Sequence, residues 1–390
     1  MIEGKDEKSC GKVVTYGMVG GGEGAFIGDV HRKAAAFDRK AVLVAGCFSR
    51  NYDNTLATGK DLGLDAGRLY ADYREMTQKE AARADKIDCA VIVTPNYAHF
   101  EAARAFLENG IHVVCDKPLC FEVSQAEELE QLARRNGLLF CVTYTYSGYP
   151  MVKQAREMVR RGDIGAIRVV MGEYPQDWLA TEIEKGGQRQ AAWRTDPQFT
   201  GISNCVGDIG SHIENTVSYI TGLKIEKLCA HLDSFGADRV LDDNAEILLK
   251  YNNGATGVYW SSQVAIGHDN GLKVRVFGTK GSIEWEQENP NYLKVAYLGE
   301  PVRILTRGAG YLYPQAARLN RIPTGHPEGY YEAFANIYTA FSNALLKKKA
   351  GAELTEEDLD FPGAAAGVDG VKFINRCVES AKQGSIWVAL

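Results

Sequence analysis

Residues 13–28 read VVTYGMVGGGEGAFIG, and this stretch decides the fold. An apolar, β-prone run breaks into a burst of glycines, and a helix-like segment carrying His31 and Arg32 follows. A strand that turns through glycines into a helix brings backbone N–H groups against a pyrophosphate, with the helix N-terminus facing the negative charge. Gly20 and Gly22 fit the first two glycines of G-x-G-x-x-G/A, and Ala25 takes the third place. Gly24, Phe26 and Ile27 fill out the expected cradle, with Gly21 and Gly24 making the loop looser than the strict pattern. The plain alternative is an ordinary strand–helix turn, and the chain that follows weighs against it.

Downstream of that loop, residues 41–48 (AVLVAGCF), 90–94, 111–115 and 138–143 read as apolar strands. Between them, residues 27–37, 55–63, 77–84, 98–109 and 124–136 read as helices. Near-continuous apolar strands between amphipathic helices imply a parallel sheet covered on both faces. The pattern then changes. Helices are predicted over 152–161 and 206–221, and strands over 167–174, 226–235, 245–251, 256–262 and 272–277. Asn252-Asn253-Gly254 reads as a tight hairpin turn. Consecutive strands without intervening helices predict a mostly antiparallel α+β unit, closed by helices near 328–347 and 364–382. The expected fold is therefore α/β, with a doubly wound, dinucleotide-binding domain over 1–147 and an α+β domain over 148–390.

Bulk properties agree with two globular domains: 390 residues, 45% hydrophobic and 24% charged. A net charge of −6 without a basic arm argues against nucleic acid as a partner. No apolar run is long enough to span a bilayer, and the opening MIEGKDEKSCGK has no secretory h-region. The nine cysteines are scattered without a C-x-x-C pair, and Cys47, Cys89, Cys115 and Cys141 fall in or beside apolar runs. That usage suits a reducing cytoplasm. No metal-ligand pattern occurs, so no metal is expected.

Four places lie where ligands bind in such a sheet or carry groups for chemistry. After the second strand, Ser49 and Arg50 stand where an NAD-binding chain usually has an acid. Arg50 suits a 2′-phosphate or adenine, or is a solvated loop residue, so NAD and NADP both stay open. Thr94-Pro95-Asn96-Tyr97-Ala98-His99 follows an apolar strand and opens a helix. Asn96 reads as a helix N-cap as well as a cofactor contact, and His99 as a helix-surface residue or a cofactor contact. Asp116 and Lys117 end the next strand, where a lysine can hold an alkoxide or move a proton, or simply be solvated. Asp208 and His212 are four apart, so on a helix they share a face and set a carboxylate beside an imidazole, or Asp208 is a helix N-cap and His212 unrelated to it. Trp178, Trp193 and Arg194 suit a sugar ring or a core, Tyr144 and Tyr146 can face the interdomain cleft, and His326 either reaches that cleft or starts a helix.

Taken in order, GGGEGAFIG, VIVTPNYAHF, HVVCDKPL, AAWRTDP, GDIGSHIENTVSYITG and GHPEGYYEAFANIY resemble the Gfo/Idh/MocA oxidoreductases, most closely their sugar and glycoside dehydrogenase branch. The resemblance implies a Rossmann domain followed by an α/β domain with a large open sheet that supports homodimers or homotetramers. It implies NAD or NADP as cofactor, with NAD favoured, and catalytic roles for Lys117, Asp208 and His212. Asp116 departs from the family's usual glutamate in E-K-P while keeping its charge. The expected activity is oxidation of a secondary hydroxyl of a pyranose, glycoside or cyclitol. The alternatives are a glycosidase that oxidises its sugar transiently, or a non-catalytic sensor on the same fold.

Overall fold

The computed structural model describes residues 13–390; the charged opening and Cys10 lie outside the described residues. The first sheet is wholly parallel, with strand order β2-β1-β3-β4-β5. Its strands are β1 (Val14–Gly20), β2 (Ala41–Cys47), β3 (Cys89–Val93), β4 (His112–Cys115) and β5 (Phe140–Val142). The helices between them are α1 (Phe26–Phe37), α2 (Tyr52–Asp61), α3 (Tyr73–Ala81), α4 (His99–Glu108) and α5 (Val123–Arg135). The strand order reverses between β1 and β3, where Gly20 and Val93 are register partners. The crevice beyond the strand ends at such a reversal is the ligand edge of an open parallel sheet. Helix α3 starts four residues earlier than its predicted range, because the Asp72 carboxylate caps the N–H groups of Arg74 and Glu75.

The chain crosses to a second sheet through α6 (Pro150–Arg160) and β6 (Ile167–Pro175). Two short helices, α7 (Arg189–Arg194) and α8 (Pro197–Thr200), precede α9 (Ser211–Thr221). Strands β7 (Ile225–Asp233), β8 (Asn244–Tyr251), β9 (Thr256–Ser262), β10 (Lys273–Gly278), β11 (Gly281–Glu286), β12 (Tyr292–Tyr297) and β13 (Arg303–Thr306) follow. The helices α10 (Pro314–Ala317), α11 (Tyr330–Lys349) and α12 (Ala364–Lys382) lead to β14 (Val388–Ala389). The nine strands run β13-β12-β11-β10-β6-β9-β8-β7-β14, antiparallel except for the β6–β9 pair. The hairpin at Asn252-Asn253-Gly254 joins β8 to β9, with Gly254 at φ 85°. Strands β11 to β13 had not been predicted, although Ile283/Trp285 and Leu293/Val295 alternate inward at the two-residue period of a half-buried sheet.

One face of the second sheet packs under α6, α9 and α12 around Tyr259, Trp285 and Phe373. Not all of the C-terminal part of the chain stays with that sheet. Helix α11 returns to the first, where Phe334, Ile337, Tyr338 and Phe341 pack with Val14, Tyr16 and Val30. Helix α12 touches both α5 and β7. The expected unit 148–390 thus includes a helix that completes the first sheet's core. Among the described residues no helix is long and apolar enough to cross a membrane.

Candidate active site

The glycine loop is held by backbone. Gly20 (φ 85°) lies so close to the turn after β3 that a Cβ there would sit 3.0 Å from Thr94 N. Gly22 N–H donates to the Phe48 carbonyl at 3.1 Å, tying the loop to the end of β2. The third glycine role belongs to Gly28, not to Ala25 as expected. A Cβ on Gly28 would fall 2.4 Å from Gly21 Cα, so only glycine lets α1 approach the loop this closely. The extra residues in the loop moved the contact beyond the strict spacing. Ala25 is instead the N-cap of α1 and has no side chain that can cap it. The first-turn N–H groups of α1 therefore lack a side-chain acceptor at the positive end of the helix, as a pyrophosphate site requires. Gly24 takes φ 81°, Phe26 is exposed and Ile27 half-buried at that opening, and Arg32 Nη1 donates to Gly21 O at 2.7 Å.

At the end of β2 the Ser49 hydroxyl accepts the Asn51 N–H, while the Arg50 side chain is exposed and in no ion pair among the described residues. After β3, Thr94 and Pro95 border the glycine loop and Asn96 is buried in a short 3₁₀ turn. Asn96 is not the N-cap expected of it, because α4 begins only at His99. His99 is neither on a helix surface nor open to a cofactor. It is fully buried, with Nδ1 2.9 Å from Pro118 O and Nε2 2.8 Å from Thr94 O, and so pins the loop after β3 to the loop after β4.

The second loop carries the charged cluster. Lys117 Nζ donates to Asp208 Oδ1 at 2.9 Å and to the Asp208 carbonyl at 2.7 Å. A π-helical turn, Val206–Gly210, offers both oxygens of Asp208 to one ammonium. On the far side, Asp208 Oδ2 accepts from Arg194 Nε at 3.2 Å and from Gln263 Nε2 at 3.1 Å. Burial acts to raise the Asp208 carboxyl, but Arg194 and Lys117 more than reverse it and hold the group well below the usual range. No hydrogen bond joins Asp208 to His212, so the carboxylate grips the lysine rather than orienting the imidazole. His212 is buried, and burial together with the Lys117 charge drives its pKa well down against the pull of Asp208. The ring is neutral at pH 7. Behind Lys117, Asp116 Oδ1 accepts the Lys117 N–H and the Thr143 hydroxyl, both at 2.9 Å, and lies 4.0 Å from Nε2 of the buried His31.

Tyr144 and Tyr146 do not face an open cleft. Both are buried and, with Tyr174, wall the His212 ring at centroid distances of 5.8, 4.7 and 6.3 Å. The Tyr146 and Tyr174 hydroxyls touch, and Tyr174 passes its proton bond to Asn270 at 2.6 Å. The Arg194 guanidinium covers Trp193 at 4.2 Å and reaches Trp178 at 5.8 Å, so the cation, not a free indole face, meets the site. His326 is exposed on a loop whose carbonyl accepts from Arg307 and takes no part in the network. Gln263 and Tyr174 are the members that the sequence did not reveal. Neither sits in a recognisable motif, and only strand register brings them here.

Residues 14–144 match the family described as "Oxidoreductase family, NAD-binding Rossmann fold", and residues 152–284 match the GFO/IDH/MocA C-terminal domain. The uncharacterised oxidoreductase YfiI of Bacillus subtilis (strain 168) is 38% identical over 385 residues, 98% of each chain. An inositol dehydrogenase homolog from Azotobacter vinelandii, solved with NAD+, superposes with a TM-score of 0.93 at 40% identity over 97% of this chain and 98% of its own. The same homolog with NADH and myo-inositol superposes at 0.90 and 39% identity, with the same coverage. Levoglucosan dehydrogenase from Pseudarthrobacter phenanthrenivorans is 26% identical over 318 residues, 74% of this chain and 77% of its own.

Proposed function

The chain belongs to the Gfo/Idh/MocA oxidoreductase family and binds NAD, and from that premise we propose that it oxidises a secondary ring hydroxyl of a cyclitol or sugar to the ketone. The observation that carries this reading is the Lys117–Asp208 contact beside the neutral, buried His212. Bound NAD supplies the hydride acceptor. The glycine loop and the uncapped α1 N-terminus hold its pyrophosphate, and the Thr94–Pro95 turn borders the same crevice.

The protein's own part is electrostatic and acid–base. Asp208 is held ionised against Lys117, and the lysine's ammonium stabilises the oxygen of the reacting alcohol as negative charge develops there. His212 is neutral and accepts the hydroxyl proton as the carbon gives up its hydride. The proton ends on imidazole, the C–H electron pair leaves with the hydride, and a C=O bond forms. Arg194 binds a neighbouring hydroxyl while shielding the site beside Trp178 and Trp193. Ring polyols with several equatorial or axial hydroxyls suit this set of donors. The A. vinelandii homolog's complex with myo-inositol makes cyclitols the first substrates to try.

The same reading takes the chain as a homodimer or homotetramer. The outward face of the second sheet exposes Val169, Leu248, Val258 and Phe277, and the pairs Val169/Phe277 and Leu248/Val258 adjoin across strands.

The test is to incubate the purified protein with NAD or NADP and a panel of inositols, pyranoses and glycosides. Reduced cofactor is expected with at least one ring alcohol. Release of an aglycone without net reduced cofactor would replace this reading with the transient-oxidation glycosidase, and no turnover on any ring alcohol would remove it.

A further inference from the structure

Asp208 is also held from behind, by a chain of amides. Gln263, just past the end of β9, is fully buried. Its Nε2 donates to Asp208 Oδ2, and its Oε1 accepts from Asn204 Nδ2 at 2.7 Å. Asn204 is fixed in turn: its N–H donates to Asp242 Oδ1 at 3.0 Å, and its carbonyl accepts the Asp208 N–H at 2.7 Å. Asp242 also takes the Ser203 hydroxyl and the Val206 N–H, which anchors the first turn of the segment that carries Asp208.

The direction of this chain is informative. Asn204 Oδ1 is buried without a partner among the described residues. Turning both amides over would give that oxygen a donor from Gln263, but would set Gln263 Oε1 against the Asp208 carboxylate. The charge on Asp208 therefore decides which way both amides point, and one unsatisfied carbonyl oxygen is the consequence.

We propose that Gln263 is a positioning residue of the reaction. Its amide N–H keeps Asp208 aimed so that the carboxylate and the backbone carbonyl both grip Lys117. The inference rests on the function proposed above. A neutral donor suits the place. The groups facing Asp208 already include two cations, Lys117 after β4 and Arg194 on α7. His212 on α9 is neutral, Tyr174 on β6 and Tyr330 on α11 stand nearby as phenols, and Cys205 lies beneath. Asp242 is spent on Ser203, Asn204 and Val206, and Asp243 on Phe235, Gly236 and Arg239. A hydrogen-bond donor without charge orients the carboxylate and leaves the balance of charge on Lys117 unchanged.

The test compares Gln263→Glu with Gln263→Leu. A carboxyl at this buried place stands against an ionised Asp208 and is protonated more readily in the folded state than in the unfolded chain. Its contribution to stability is present below the unfolded pKa and is lost as pH rises through the folded one. The thermal midpoint of Gln263→Glu is therefore expected close to wild type near pH 5 and progressively below it towards pH 8, roughly the span over which such a buried carboxyl titrates. Turnover should follow the same course, because the protonated carboxyl donates to Asp208 as the amide does. Gln263→Leu should lose about ten- to a hundredfold in kcat at every pH, with NADH binding unchanged by fluorescence titration. A stability deficit of Gln263→Glu that does not change with pH overturns the contact. Wild-type kcat and pH profile in both variants overturn the positioning role. The thermal measurement needs no substrate, so a wild-type protein inactive on every sugar would break the proposed function and leave the Gln263 contact to be decided on its own.

Discussion

The two halves of the site are made of different material. The nucleotide side is backbone: glycines at positive φ, a bare helix N-terminus and the Gly21–Gly28 approach. The reacting side is side chains: Lys117, Asp208, Arg194, Gln263 and His212, drawn from four separate parts of the chain. Backbone sites depend on what a residue lacks, and any Cβ is an intrusion. Side-chain sites depend on charge, and they put ionisable groups where water is scarce. The first kind should fail by steric exclusion, and the second by loss or gain of a proton.

The largest effect should come from the charged half. Lys117→Ala removes the group that, in the proposed reaction, meets the developing alkoxide, and leaves Asp208 in an ion pair with Arg194 alone. We expect kcat to fall by about 10²- to 10⁴-fold while NADH binding by fluorescence is retained. Loss of rate and of nucleotide binding together would show that the two halves are not separable in this way.

The next effect tests what the charged half does to stability. Glu214 lies two residues past His212 on α9, and burial, with Asp369 adding to it, pushes its carboxyl up from 4.5 to about 8. A folded pKa above the unfolded one means stability that is full below about 4.5 and is lost as pH rises towards about 8. Each unit is worth about 1.4 kcal/mol, so the loss amounts to a few kcal/mol by the top of the window. Glu214→Gln should remove that slope. Denaturant titrations across the window should show the variant gaining on wild type as pH rises, and parallel curves would mean that Glu214 is not buried uncharged.

The backbone half should respond to a single methyl group. Gly28→Ala sets a Cβ against Gly21 Cα, where backbone rather than a flexible side chain must move. We expect about 1–3 kcal/mol of destabilisation and a matching weakening of NAD affinity, read by calorimetry. Ala25→Gly, at the position that the sequence pattern had favoured, should change neither appreciably, and a large effect there would restore the shorter spacing.

What could be read from the sequence follows the same division. The parallel sheet was legible because its strands are nearly continuous apolar runs, and Lys117 because it closely follows one of them. That Asp208 and His212 lie near one another was legible as a four-residue spacing, but not that Asp208 turns to Lys117 instead of pairing with the imidazole, because that depends on a π turn. Gln263 was invisible, since its partner is 55 positions away and a single amide after a strand carries no pattern. His99, Tyr144 and Tyr146 were misplaced towards solvent for a related reason. Their polar atoms meet partners or packing from other elements, and burial of that kind is decided only when the domains close. Strands β11 and β12 were within reach, hidden by the charged residues that alternate with their apolar ones, whereas β13 is four residues long and has no such alternation.

The smallest expected effect lies where the backbone half ends and charge begins again. Arg50 follows β2 at the place that receives the adenosine ribose in this architecture. No acid follows β2 directly to bind a 2′-hydroxyl and repel a 2′-phosphate, and the Arg50 side chain is exposed. A charge-assisted contact to phosphate contributes roughly 1.5–3 kcal/mol when well formed, and less at an exposed site screened by salt. Arg50 should therefore let the chain accept NADP without making it prefer NADP. Replacing it with an acid removes the contact and adds a repulsion against the same phosphate. In Arg50→Asp the ratio of kcat/KM for NADP to that for NAD is expected to fall about tenfold at low ionic strength, and by less as salt is raised. A ratio that does not move, with neither value changed, would mean that the arginine points into solvent and that the backbone alone sets the choice of nucleotide. Equal falls in both values, with the ratio unmoved, would place Arg50 on the adenine instead, since stacking there serves both nucleotides alike.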